Sequence, residues 1–412
     1  MKQAGLCLFF CIIFGLKVIA QPGCSDPQAS NFNVAATSNN GSCVYGTTTY
    51  KLPIKTSLPD ALQETSGLVF TDDKLWTHND SGGEPAIYHI DTLSGQVRQT
   101  VVVTNTVNTD WEAITADNQY IYVGDFGNNR SGNRQDLVIY RIRKSDIGTV
   151  PAIRVRADLI RFSYSDQTDF MAKELNRTAF DCEAMFVQNG QLHLFTKDWI
   201  GDKTRHYTLP ATPGVHKATF REQLAANGLI TDAALSETGV LVLTGYTRVG
   251  AAFLWLLFDY ADERFFGGNK RRIELGLALD KGQIEGVAFR RNYEGFIASE
   301  KFSSVSPTLY TFTVGDWVYH NPTATETDTL IQLYPNPVFP EADILLNISE
   351  IQQGEPIRLR VLDQTGKSIY QNSIFATAKT TALRLPYLPS GLYIVRIQTR
   401  RWNRNVKLII RQ

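Results

Sequence analysis

Five times along this chain a carboxylate stands just before a short apolar segment, and an apolar strand and a polar turn follow. The starts are Glu64 in QETSGLVF, Glu112 in DWEAITAD, Glu183 in DCEAMFVQ, Asp232 in ITDAALSE and Glu285 in QIEGVAFR. The intervals are 48, 71, 49 and 53 residues (64 to 112, 112 to 183, 183 to 232, 232 to 285). A period of this length with strand-like contents predicts a radial β architecture, in which equivalent positions of every repeat gather around one axis. Five scattered carboxylates then become one ring. A bare ring of negative charge repels itself and invites a cation. With oxygen donors and no thiolate cluster, calcium is the cofactor expected at Glu64, Glu112, Glu183, Asp232 and Glu285. The alternative is that each acid caps its own blade through backbone N–H groups.

The chain has 412 residues, enough for two or three domains. Its 41 basic and 41 acidic residues balance, and no basic stripe points to nucleic acid. Residues 1–20 read as a secretory signal: Lys2, an apolar run from Leu6 to Leu16, and Val18-Ile19-Ala20 before a cleavage point. The run is too short, and closed too soon by Lys17, for a membrane span, and no integral span is expected after signal removal. Of the five cysteines, Cys7 and Cys11 leave with the signal, and Cys24 and Cys43 are expected to form a disulfide in an exported protein. Cys182 reads as a buried free thiol.

Residues 21–46 form a small Asn- and Asp-rich segment bounded by cysteines, whose Asp26, Asn31, Asn33 and Asn39 suit either calcium or tight turns. Residues 47–316 hold the repeats, residues 317–329 a polar linker and residues 330–412 a second set of alternating strands. The fold expected is all-β: a β-propeller of five blades, with six as the alternative because of the 71-residue interval, followed by a small C-terminal Ig-like β-sandwich. The fifth repeat lacks a fourth strand, which Tyr50–Lys55 would supply from the N-terminal side and so close the ring.

In a four-stranded meander, the entry to strand one and the turn between strands two and three share a face. That face is expected to collect His78, Asn79 and Asp80 of HNDSGG, Asp125 and Asn128 of GDFGNN, and Lys197, Asp198 and Trp199 of TKDW, with Tyr246, Glu300 and Lys301. Trp199, Lys197, Tyr246, Glu300 and Lys301 are not turn formers, so turn chemistry alone does not account for them.

Three sets of residues resemble known families. GCSDPQASNF…NNGSC resembles a Cys-bounded module of exported proteins from Bacteroidetes-type bacteria. Glu64, Asp110–Glu112, Gly124–Asn129, Asp181–Glu183 and Glu285–Gly286 resemble the blade starts of SdiA-regulated propellers, and more distantly the phytase-like or esterase-like β-propellers. That resemblance implies a central channel, often occupied by calcium; Asp232 departs from the pattern, and the full phytase ligand set is not matched. LYPNPV, RLRVLDQTGKSIY, LPSGLYIVRI and VKLIIRQ, in this order to the end of the chain, are similar to the type A C-terminal sorting domain of the type IX secretion system. This implies export through the periplasm to the cell surface or the medium, with the secretion machinery as a partner.

Three functions compete. The first is a surface or secreted binding or scaffold module with calcium in its acidic channel. The second is a metal-dependent phosphoester or ester hydrolase, with Lys197 and Lys301 meeting a small anionic ligand. The third is an adhesin stacking carbohydrate on Trp199 and Tyr246. No G-x-S-x-G or H-E-x-x-H motif names a catalytic group.

Overall fold

The computed structural model describes residues 21–33, 35–318 and, with short breaks, 331–411. The expected signal at 1–20 and nearly all of the expected linker lie outside the described residues. The chain is almost entirely β-structure, a β-propeller followed by a β-sandwich.

The propeller is built from four-stranded antiparallel sheets. The first contains Thr65–Thr71, Lys74–Asn79, Ala86–Ile90 and Val97–Val103. The second contains Trp111–Ala116, Tyr120–Asp125, Val138–Arg143 and Asp158–Tyr164. Cys182–Gln188, Gln191–Thr196, Thr204–Pro210 and Gly214–Leu224 make the third. The fourth is Leu229–Leu235, Leu241–Tyr246, Ala251–Phe258 and Asn269–Leu277. Gln283–Arg291, Glu294–Glu300 and Thr308–Thr313 make the fifth, completed by Ile54–Ser57 from the N-terminal side of the ring. The completing strand thus lies a few residues beyond the Tyr50–Lys55 expected from sequence. Each first strand packs between the first strands of two neighbouring sheets, the fifth returning to the first.

Residue patterns explain the order of the strands. First strands are packed on both faces and are buried nearly throughout, as in Trp111–Ala116 and Leu229–Leu235. Outer strands have one wet face and alternate, as in Asp158–Tyr164. The core is a set of wedges between consecutive sheets. Trp76, Trp111 and Tyr140 fill one; Phe126, Phe162 and Tyr207 fill the next; Phe186, Phe195 and Phe265 fill a third. Val242, Leu254 and Ile297 join the fourth sheet to the fifth, and Leu62, Leu68 and Phe296 close the fifth on the first. Each fully buried Leu, Val or Phe contributes about 1.5–3 kcal/mol, so these wedges hold the ring together.

The 71-residue interval is filled without another meander among the described residues. Ala152–Val155 pairs parallel to Val97–Val103, and a loop over residues 165–181 runs to the third sheet. Asp158–Tyr164 also pairs parallel to Gly214–Leu224, which joins the second and third sheets edge to edge.

The Cys24–Cys43 disulfide closes the N-terminal module. Its polar side chains serve its own turns and its seat on the ring. The buried Asp26 accepts the Tyr45 hydroxyl at 2.7 Å and the Gln28 N–H at 2.9 Å, and Asn39 donates to Asp259 at 2.9 Å. In the C-terminal domain one sheet carries Ile331–Tyr334, Asp343–Ile348 and Thr380–Arg384. The other carries Pro356–Leu362, Ser368–Phe375, Gly391–Gln398 and Asn403–Ile410. Leu346, Val361, Ile397 and Leu408 lie in the core between them.

Candidate functional site

Every first strand slips register at its entry. In the second, third and fifth sheets the skipped residue is the glutamate itself. Gly124 and Asp125 pair with Ala113 and Trp111, leaving out Glu112; Cys182 and Ala184 pair past Glu183; Ile284 and Gly286 pair past Glu285. A bulge leaves one residue unpaired and re-aims its side chain. Glu112, Glu183 and Glu285 accordingly line one cavity of about 200 Å³ at the mouth of the ring.

The other two members of the expected ring are placed differently. In the fourth sheet the skipped residue is Thr231, one position before the acid, and Asp232 stays in register with Thr244. A one-residue offset turns a strand side chain to the other face. Asp232 is fully buried, and its carboxylate accepts the backbone N–H groups of Val287 at 2.7 Å, Ala233 at 2.8 Å and Leu68 at 3.3 Å. It is a strut between three first strands. In the first sheet the slip spans Ser66 and Gly67, so Ser66 takes the cavity position, while Glu64 is exposed ahead of the strand. Glu64 belongs to the rim, where its charge reaches Asp80 and Glu300.

Turns between second and third strands bring Asp80, Lys197, Trp199, Tyr246 and Glu300 to the same cavity, and the loop before the third sheet adds Leu175 and Asn176. Oxygens of Asp80, Asp110 and Glu112 lie within 4.8 Å of one another. Gly127 backs onto this group: a Cβ there would stand 2.4 Å from Asp110 Oδ2 and from Glu112 Oε1. Asp181 is buried behind the cavity and accepts the Trp199 indole N–H at 2.7 Å and the Asn128 N–H at 2.5 Å.

Five carboxylates and one lysine line the cavity. Lys197 Nζ lies 3.0 Å from Glu183 Oε2, with both side chains buried, and 5.1 Å from the ring centres of Trp199 and of Tyr246. Burial alone would pull the ammonium pKa down, but Glu183 and its neighbours hold it well above the usual lysine range. Burial pushes the Glu112 carboxyl well above the carboxylate range, reinforced by Glu183 and Asp80. Asp110 is raised to about 7 by burial and then by Asp80 and Asp181. Glu300 is raised to about 9 by burial and then by Glu285 and Asp80. One oxygen of the buried Glu285, Oε2, has no hydrogen-bond partner, while the other accepts from Gln283.

The remaining candidates lie away from the cavity lining. His78 is fully buried, edge-on to Trp111 and close to Gly67, and burial lowers its pKa to about 4; it is a core imidazole. Asn79 donates to the Ala61 carbonyl at 2.8 Å. Asp125 pairs with Arg134 at 2.8 Å, and Asn128 donates to the Phe180 carbonyl at 3.1 Å. Asp198 accepts the N–H groups of Ile200 and Gly201, both at 2.9 Å, and Lys301 is exposed. Cys182 is a buried free thiol whose pKa burial pushes up. The sequence motifs include Asp110, Asp181 and Asn129 without marking them as site residues, and they leave out Ser66, Asn176 and Gln283. Asp110 and Asp181 had a signal in the paired D-x-E of DWE and DCE, and Asn129 in the turn GDFGNN; Ser66, Asn176 and Gln283 had none.

Residues 332–411 match the family model of the secretion system C-terminal sorting domain. The chain is therefore a propeller protein that is secreted or attached at the cell surface. Among the described residues no helix is long and apolar enough to cross a membrane. No curated protein matches the chain. Among solved structures it is similar to the extracellular domain of a putative one component system from Bacteroides thetaiotaomicron. The identity is 10%, the TM-score 0.31, and the coverage 88% of this chain and 60% of that one. The chain thus spans less than two thirds of that domain. It is also similar to a β-propeller domain from Myceliophteria thermophila, at 9% identity and TM-score 0.34 over 64% of this chain and 100% of that one. A quinonprotein alcohol dehydrogenase-like protein from Bacteroides thetaiotaomicron is similar at 10% identity and TM-score 0.30, over 80% and 69%.

Proposed function

We propose that the acidic mouth holds one divalent hard cation, calcium by its donor set, and that the exported propeller is a cation-dependent ligand-binding module. The observation that carries this reading is the approach of Asp80, Asp110 and Glu112 to within 4.8 Å. Oxygens bound to one calcium at ~2.3–2.6 Å stand no more than about 5 Å apart. The unpartnered Glu285 Oε2 adds a buried acceptor that is in want of a positive partner. The donors are all oxygen. The imidazole of His78 and the thiol of Cys182 are buried elsewhere, which suits calcium rather than zinc.

The same geometry weighs against the two alternatives. Lys197 is committed to Glu183 and is a poor receiver for a substrate anion without a metal. Trp199 donates its N–H to Asp181 and has Lys197 over its ring, so it is not a free stacking platform.

Calcium titration, elemental analysis and thermal melting of the full chain test the reading. Binding to the folded state stabilises by about 3 kcal/mol at ~100 times Kd, so chelator should lower Tm. An Asp110→Asn/Glu112→Gln variant should lose the effect. An unchanged melting curve together with absence of metal would refute the proposal.

A further inference from the structure

A second cavity of about 400 Å³ opens beside the acidic one, within the size range of small-molecule sites. Tyr246 and Gln283 line both. The two cavities differ in chemistry. The second is walled by the turn after Tyr246 and by the short helical turn before Gln283, and it presents Val249, Leu277, Leu279 and Phe302. Val249 is 85% exposed, Leu279 66% and Leu277 46%. These residues sit where ordinary turn chemistry calls for polar or small side chains, and the fold gains nothing from their exposure.

We propose that the two cavities are one bipartite site for a small amphiphile: an oxyanion head, phosphate or carboxylate, completes the coordination of the cation, and an alkyl or acyl portion lies along Val249, Leu277 and Leu279. The head is assigned by coordination. A dication held by carboxylates keeps open positions that favour oxygen donors, and Tyr246 and Gln283 carry the ligand from one cavity into the other. The tail is assigned by the apolar wall, which gains on removal from water. This inference rests on the cation reading above, with the unpartnered Glu285 Oε2 as the independent sign of a missing partner.

The test uses the full chain with saturating calcium and titration calorimetry. Octyl phosphate and octanoate, both as monomers, are compared with inorganic phosphate and acetate. The octyl ligand with the matching head should bind at least about tenfold more tightly than its bare head group. A Val249→Ser/Leu279→Ser variant changes only exposed side chains. It should lose about tenfold for the octyl ligand while leaving calcium and bare head group unchanged. Equal affinity for octyl and bare ligands, or an equal loss for both in the variant, overturns the groove assignment. Tail-dependent binding that persists in chelator overturns the placement of the head. Failure of calcium to bind in a direct titration is read separately, and it removes the cation reading and this one together.

Discussion

The carboxylate of Asp232 accepts the backbone N–H of Val287 at 2.7 Å, tying the first strand of the fourth sheet to that of the fifth. With Leu68 and Ala233 as further donors, one side chain satisfies groups on three strands at the axis. Asp232→Ala leaves those donors buried without an acceptor, and each costs about 1–3 kcal/mol. The variant should lose at least ~3 kcal/mol in urea unfolding, if it folds at all. Asp232→Asn, which keeps one acceptor oxygen, should lose less. Calcium affinity of the folded Asn variant should be unchanged, which separates the strut from the site.

Lys197 is the counterpart case. Removing one partner of a buried ion pair costs roughly 3–5 kcal/mol, because the other charge is left stranded. Lys197→Met should destabilise the calcium-free protein on that scale by leaving Glu183 alone. Lys197→Met/Glu183→Gln should recover much of the loss. Equilibrium unfolding of the two variants with and without calcium measures both effects.

Gly127 leaves no room for a methyl group beside Asp110 and Glu112. Gly127→Ala should push these carboxylates apart and weaken calcium binding by about tenfold or more, a loss of ~1.4 kcal/mol. Direct titration of the variant, alongside its calcium-free Tm as a control for folding, checks this.

The acidic mouth should also set the dependence on pH. Asp110 and Glu300 hold their protons up to about 7 and about 9, chiefly through burial. In the unfolded chain such carboxyls titrate near ~4. An acid raised in this way contributes most below the unfolded value, and the contribution is lost as pH climbs through the folded one. The Tm of calcium-free protein should therefore fall as pH rises from weakly acidic toward about 9. Saturating calcium should flatten or reverse the slope, because the ion binds the deprotonated form. A melting series across pH, with calcium or chelator, gives the sign directly.

These residues also mark what the sequence revealed. The repeat of a carboxylate before an apolar strand was legible because packed first strands need largely apolar runs, so a charged residue at the entry stands out. The gathering of Asp80, Lys197, Trp199, Tyr246 and Glu300 on one face followed from strand order alone. The register slips were not legible. A bulge has no fixed composition, so Thr231 and Asp232 are indistinguishable in sequence as the skipped residue, and Glu64 stands in for Ser66 by a two-residue displacement. His78 failed for another reason: it begins a polar turn, yet strand alternation turns its ring into the wedge against Trp111.

The strut at Asp232 has a further consequence. The opposite end of the ring opens onto a cavity of mixed lining, with Leu68, Ile114 and Val287 beside Thr115, Gln188 and Glu237, and no residue lines both this cavity and the acidic one. The two ends therefore present separate linings, joined at the axis by the Asp232 carboxylate, and a ligand proposed for the acidic mouth would meet none of the residues that line the other end.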